Sequence, residues 1–225
     1  MAMLLSKIEL RRSDPARKAL AAQLAKGASA DGGHALIAML FPESTSRTFL
    51  WREDRGSARF AGLLLSDGPP LDPLGIFDIE SKEYSPDFAP GDALHFDIRV
   101  NAVVRRRDEA GRVQKHDVAM DALRRSRRDG GEDPRDVVMD TAVLDWFARQ
   151  GVRHGYEVEQ DAVALMGAEQ RRLGKPRSKS AVQFTEFDIR GLLRVVDPIK
   201  FGTMLGLGMG AARAYGCGLM LVRRA

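Results

Sequence analysis

The first ten residues end in strict alternation. In Leu4-Leu5-Ser6-Lys7-Ile8-Glu9-Leu10, apolar Ile8 and Leu10 alternate with charged Lys7 and Glu9, which predicts a half-buried strand. Asp14-Pro15 is a helix-start pair, and the Ala/Leu/Lys-rich run Ala16 to Lys26 reads as its helix. Gly27 to Gly33 is a flexible break. From His34 to Phe41, the residues Leu36, Ile37, Leu40 and Phe41 share one helical face, and Pro42 stops the pattern. Phe49 to Arg52 and Gly62 to Ser66 read as short strands, Phe77 to Glu80 as a weaker third. After the turn at Pro90-Gly91-Asp92, Ala93 to Val104 alternates through Leu94, Phe96, Ile98 and Val100 and predicts one long strand.

The second half opens on an amphipathic helix over Pro134 to Gly151, carrying Val137, Val138, Leu144, Trp146 and Phe147. Tyr156 to Leu165 is strand-prone, and Glu169 to Ser180 reads as a basic loop. Ala181 to Asp188 and Gly191 to Val196 predict a hairpin turning at Arg190-Gly191. Asp197-Pro198 caps a helix to about Leu205, then come a Gly-rich loop and a last strand over Cys217 to Val222. Both halves therefore approximate βαββαβ. Two such units make two small sheets, each with helices on one face, an α+β pattern. The expected division is an N-terminal unit over 1–104, a basic linker over 105–131 and a C-terminal unit over 132–225.

Charge adds to this picture through its distribution. The net charge is only +4, yet it is built from blocks. Residues 105–128 carry nine basic and four acidic side chains, and residues 171–180 carry five basic and no acidic ones. Residues 27–99 and 132–170 are each −6. Clustered Arg is the footprint of a phosphate-binding surface, since the planar guanidinium fork matches phosphate oxygens. Such runs also suit solvated loops. The single Cys217 excludes an internal disulfide and a Cys-rich zinc site. The longest uncharged apolar run, Phe201 to Ala212, is 12 residues, short of a membrane span of roughly 18.

Chemistry-bearing positions are few. The four histidines are His34, His95, His116 and His154. His34 follows Gly32-Gly33 at the start of a predicted helix, where the partial positive charge favours neutral imidazole and free N–H groups can meet a phosphate. A lone His beside Gly equally suits a surface or capping role. His95 belongs to the exposed face of its strand, and His116 to the Arg-rich stretch. His154 follows a helix end, where a protonated ring suits the dipole. No His/carboxylate spacing matches a metal motif. Gly206-x-Gly208-x-Gly210 lies too near the C-terminus to open a Rossmann unit, and no Walker lysine follows it. It reads either as a loop where a ligand backbone approaches closely or as a tight helix-to-strand turn. Aromatics are only 7% of the chain with no RNP-like aromatic pair in sequence, which argues against a generic single-strand binder.

Several segments resemble one family, in its order along the chain. Pro90-Gly91-x-x-Leu94-x-Phe96-x-x-Arg99-x-Asn101 is similar to a strand of the CRISPR-associated CasE endoribonucleases of type I-E systems. Leu192-x-x-Val195-x-Asp197-Pro198, followed by Gly208-x-Gly210-x-x-Arg213-x-x-Gly216-x-Gly218-Leu219, resembles its C-terminal signature. His34-x-Leu36-x-x-x-Leu40-Phe41-Pro42 resembles its catalytic helix, and Leu4-Leu5-Ser6-Lys7 its first strand. Residues 43–89 and 105–180 match weakly.

The resemblance implies two tandem ferredoxin-like (RRM-like) domains and metal- and cofactor-free cleavage of CRISPR repeat RNA. It also implies retention of the product stem-loop beside other subunits of a type I-E surveillance complex, in the cytoplasm and away from membranes. It makes His34 the general base on the RNA 2′-OH, with a 2′,3′-cyclic phosphate and a 5′-OH as products. Where the family often carries Tyr, three residues before the His, this chain has Asp31, a candidate to orient or charge the imidazole. Arg213 is the expected phosphate contact, with Gly208, Gly210 and Gly216 giving close backbone approach. Arg105, Arg106 and Arg107 are further expected RNA contacts that could add positive charge at the reacting phosphate, and the basic block with Arg171, Arg172, Lys175, Arg177 and Lys179 is the expected duplex-contacting segment. The alternatives from other classes are a non-catalytic subunit that binds the RNA hairpin and a nucleotide-binding scaffold using the Gly-rich loop.

Overall fold

The alternation at the N-terminus forms β1 (Met3–Leu10), with Ile8 and Leu10 buried on one face and Lys7 exposed on the other. A computed structural model describes residues 3–13, 15, 18, 32–42, 49–107, 111–173 and 182–225. The helix expected over 16–26 falls almost wholly outside them, as do Asp31, Lys175, Arg177 and Lys179. Helix α1 (Gly32–Ala38) is followed by β2 (Phe49–Glu53), β3 (Ala61–Ser66) and β4 (Phe77–Tyr84). The sheet order is β2-β3-β1-β4 with antiparallel neighbours, the fourth–first–third–second order of a ferredoxin-like unit. Leu36, Ile37 and Leu40 seal one sheet face against Ile8, Leu64 and Phe77. Where a second helix would connect β3 to β4, residues 67–76 run as a loop. The Asp72 carboxylate holds it by accepting the N–H groups of Ile76 and Phe77.

The second unit starts earlier than the charge pattern suggests. β5 (Ala93–Val100) pairs with β10 (Val182–Val195) on one side and β11 (Met220–Arg224) on the other. It is thus the central first strand of the C-terminal sheet, and the expected boundary at 104 does not follow the strand pairing. Sheet order is β11-β5-β10, with β9 (Val163–Leu173) and the short β8 (Tyr156–Glu157) both on the outer side of β10. Leu94, Phe96, Ile98 and Val100 are buried under α3 (Arg135–His154) and α4 (Pro198–Leu207). Phe96 stacks on Phe147 at 4.9 Å, and the Tyr156 hydroxyl donates to Phe147 O at 2.8 Å. The molecule is an α+β protein of two tandem ferredoxin-like units.

Three local expectations change. Residues 105–128 are not a linker. They form the ribbon β6 (Val103–Arg107) and β7 (Val113–Asp117) and then α2 (Val118–Arg128), inserted between the first strand and first helix of the second unit. Asp117 caps α2 by accepting Met120 N–H, and Val118, Ala119 and Leu123 bury its inner face. Arg density marked solvent exposure there, not a domain boundary. Arg171 and Arg172 lie in β9 rather than in a loop.

Arg190-Gly191 is not a turn either, because β10 runs unbroken from 182 to 195. Gly191 is required for a different reason: a Cβ there would overlap the Ala162 carbonyl and sit 2.8 Å from Val163 Cα. Gly191→Ala is therefore expected to destabilise the protein by about 1–3 kcal/mol through overpacking. Thermal melts should show a fall of roughly 2–4 °C per kcal/mol. An unchanged melting temperature would refute the close approach. Among the described residues, no helix is long and apolar enough to cross a membrane.

Candidate active site

The register of the second sheet gathers dispersed basic residues at one end. Leu173, at the end of β9, pairs with Val182, and Val100, at the end of β5, pairs with Phe187. β11 begins at the same end, at Met220 opposite Ile98. Arg171 and Arg172, the root of the Arg105–Arg107 ribbon and the loop over 208–219 therefore emerge together. Asn101 fastens them. Its side chain donates to Thr185 O at 2.8 Å, and its carbonyl accepts Ala211 N–H at 3.0 Å. Arg99 is 8% exposed and bonds Asp188 at 3.0 Å and Glu53 O at 3.3 Å, tying this sheet to the first. Arg99 and Asn101, two positions that carried the family resemblance, are thus structural.

Within the Gly-rich loop, Gly208 (φ 76°) ends α4 in a backbone conformation that favours glycine. A Cβ there would lie 2.7 Å from Leu50, and one on Gly210 would lie 2.5 Å from Val100. Both glycines thus already have a packing role inside the protein. The 3-10 turn Arg213–Tyr215 follows, introduced by Ala212 in a left-handed conformation (φ 53°). Arg213 Nη1 donates to Leu207 O at 2.7 Å, capping the end of α4 at an exposed position.

His34 comes to this turn from the other unit. It is the third residue of α1, half-buried, with its ring 5.8 Å from that of Phe49. The link is Trp51 on β2, which is 4% exposed. A Cβ on Gly33 would overlap the Trp51 ring, and one on Gly216 (φ 85°) would meet it at 3.4 Å. The indole N–H donates to Ala214 O at 3.1 Å. Trp51 is therefore clamped between the residue before His34 and the turn that carries Arg213. Two segments about 180 positions apart in sequence meet through one side chain. Sequence reading missed Trp51. Its signal, a lone Trp in a short apolar strand, is the same as that of any core residue.

The remaining expected residues divide. Arg105 and Arg107 are exposed on the ribbon, and Arg107 donates to Gly111 O. Arg106 is held by Asp121 at 2.7 Å, and that hydrogen bond keeps the Asp121 carboxyl below its usual range. Arg172 is exposed, while Arg171 contacts Glu169 at 3.4 Å. His95 is exposed between buried neighbours, as its strand predicts, and His116 lies on β7. His154 departs from expectation. Burial first, then Arg153, pushes its pKa down, so the neutral ring is favoured at that helix end. Burial and then Glu186 raise the Cys217 thiol well above its normal value, leaving it a small core side chain.

The family model described as CRISPR associated protein matches residues 3–224, nearly the full length. The chain belongs to this CRISPR-associated family. Its fold is that of a solved CRISPR endoribonuclease, Cse3 bound to 19-nucleotide RNA. The two agree with a TM-score of 0.70 at 22% identity over 99% of this chain and 100% of that one. Cas6e from Escherichia coli K-12 gives a TM-score of 0.61 at 16% identity, again covering 99% and 100%. A chain of a CRISPR RNA-guided surveillance complex gives 0.61 at 15% identity with the same coverage. No curated protein matches the sequence. At these identities the likeness establishes the shared fold of this CRISPR-associated protein, and its chemistry must be argued from its own residues.

Proposed function

We propose that this CRISPR-associated protein is a metal-independent endoribonuclease that cuts precursor RNA within the repeat hairpin. It then stays on the product as a subunit of an RNA-guided surveillance complex. The observation that carries the reading is the meeting of His34 with the Arg213 turn across Trp51, in a fold shared with an RNA-bound endoribonuclease. His34 takes the proton of the 2′-OH that precedes the scissile phosphate. The 2′-oxygen attacks phosphorus, the P–O5′ bond breaks and the leaving 5′-oxygen is protonated. A 2′,3′-cyclic phosphate and a 5′-OH result. The negative charge that develops on the phosphoryl oxygens needs preorganised donors. Arg213 offers four N–H groups beyond the one given to Leu207 O. Arg105, Arg107 and Arg172 meet the phosphates of the stem, and Asp31, Lys175, Arg177 and Lys179 remain candidates from the sequence. Gly208, Gly210 and Gly216 shape the loop that presents Arg213.

The test is cleavage of the repeat RNA from the protein's own genome in excess EDTA, followed by end-group analysis. Unchanged cleavage with a cyclic phosphate and a 5′-OH is expected. Loss of activity in EDTA, or a 5′-phosphate product, would overturn the mechanism, and tight binding without cutting would favour a non-catalytic hairpin-binding subunit.

A further inference from the structure

Phe184 and Tyr215 are 31 residues apart, yet their rings stack at 5.6 Å with planes 26° apart. Both are half-buried, and neither belongs to any of the three hydrophobic clusters among the described residues. Stacked aromatic pairs bury large apolar area, and a Tyr hydroxyl suits a site that is apolar at one end and wet at the other. This pair lies at the basic end of the second sheet. Phe184 shares a face of β10 with Glu186 and Asp188, whose side chains meet Arg55 and Arg99 between the units. In β-sheet register Phe184 faces Arg171, which is 26% exposed and contacts Glu169 at 3.4 Å and Glu186 at 3.9 Å. Tyr215 belongs to the same short turn as Arg213, and Trp51 holds that turn beside the His34 helix.

We propose that Phe184 and Tyr215 form a stacking platform for one unpaired nucleobase of the RNA, next to the cut. The reading rests on the function proposed above and adds a base-binding subsite to it. Every base has a π-face, so such a platform accepts a base by stacking rather than by hydrogen-bond reading. Arg171 and Arg213 flank it and meet the phosphates on either side of the stacked nucleotide. The platform fixes the strand at the point where it leaves the stem, and so aligns the 2′-OH with His34.

The experiment uses the full chain and repeat hairpins carrying 2-aminopurine at each unpaired position in turn. Stacking quenches its fluorescence. One unpaired position is expected to be quenched by the wild type and by Tyr215→Phe, and not by Tyr215→Leu. Loss of one stacked base should raise Kd by about five- to 150-fold in Tyr215→Leu. Phe184→Leu serves as the second variant should Tyr215→Leu fail to fold. If the hairpin is bound and cut but no position is quenched, the platform is wrong and the nuclease stands. Quenching that survives Tyr215→Leu, or disappears in Tyr215→Phe, also overturns it. If the hairpin is neither bound nor cut, the nuclease reading falls, and a short single-stranded 2-aminopurine oligonucleotide then decides the platform. Quenching lost in Tyr215→Leu sustains it, and absent or unaltered quenching removes it.

Discussion

His34→Ala is expected to leave hairpin RNA bound with near wild-type affinity while slowing its cleavage by about 10²–10⁴-fold, the usual contribution of a positioned acid–base group. The asymmetry follows from where His34 sits. In the proposed function, affinity would come from Arg side chains on the second unit, on the β6–β7 ribbon and at the end of β9. His34 lies on α1 of the first unit, and the proposal assigns it only the proton transfer. Its neighbours Leu36, Ile37 and Leu40 carry the packing of α1, so the half-buried imidazole can be removed without unseating the helix. Single-turnover rates at saturating protein separate the two effects. A His34→Ala protein that cut at the wild-type rate would end the assignment. One that lost binding equally would make His34 a ligand contact.

Trp51→Ala is expected to be the most damaging core substitution. Truncating a buried Trp costs about 3–5 kcal/mol. Here it also removes a side chain that touches both the His34 segment and the Arg213 turn. The cavity would open between Gly33 and Gly216, and Ala214 O would lose its 3.1 Å donor. Trp51→Phe keeps an aromatic ring and loses the N–H, a loss of about 1 kcal/mol for the hydrogen bond. Denaturant melts should therefore rank wild type, Trp51→Phe and Trp51→Ala in falling order. Cleavage rates should fall with them even at temperatures where each variant is folded. A folded Trp51→Ala protein that cleaved normally would show that the two segments need no common support.

The contact between units has a second, polar part. Arg52 meets Asp97 at 2.6 Å, and Arg55 reaches Glu169 at 2.7 Å and the buried Glu186. Together with the small cluster of Leu50, Leu65 and Leu219, these contacts hold the first sheet against the C-terminal segment. The cleft they leave has a volume of about 450 Å³ and is lined by Lys7, Arg52, Arg55, Arg99 and Arg190 among others. Much of that positive charge is already neutralised by Asp97, Asp188 and Glu186.

Much of this protein is written locally in its sequence. The alternation of β1 and β5, the apolar face of α1, the cap at Asp197 and the long amphipathic α3 all appear in the structure. Each depends on side-chain period and capping within a few residues. His34 and the Gly-rich loop were legible too, through their likeness to a family pattern. What the chain alone misassigned shares one cause. Charge and glycine report exposure or close approach, and neither says to what. The Arg-rich stretch looked like a boundary and is an insertion after a central strand. Gly191 looked like a turn and is a contact point for Ala162.

Only the tertiary structure decided which strand begins the second unit, because β5 is claimed by pairing with β10 and β11, which lie about 90 and 120 residues further on. The same holds for Trp51 between Gly33 and Gly216, and for Phe184 against Tyr215. These contacts join residues of ordinary type at large sequence separation, where no local periodicity can register them.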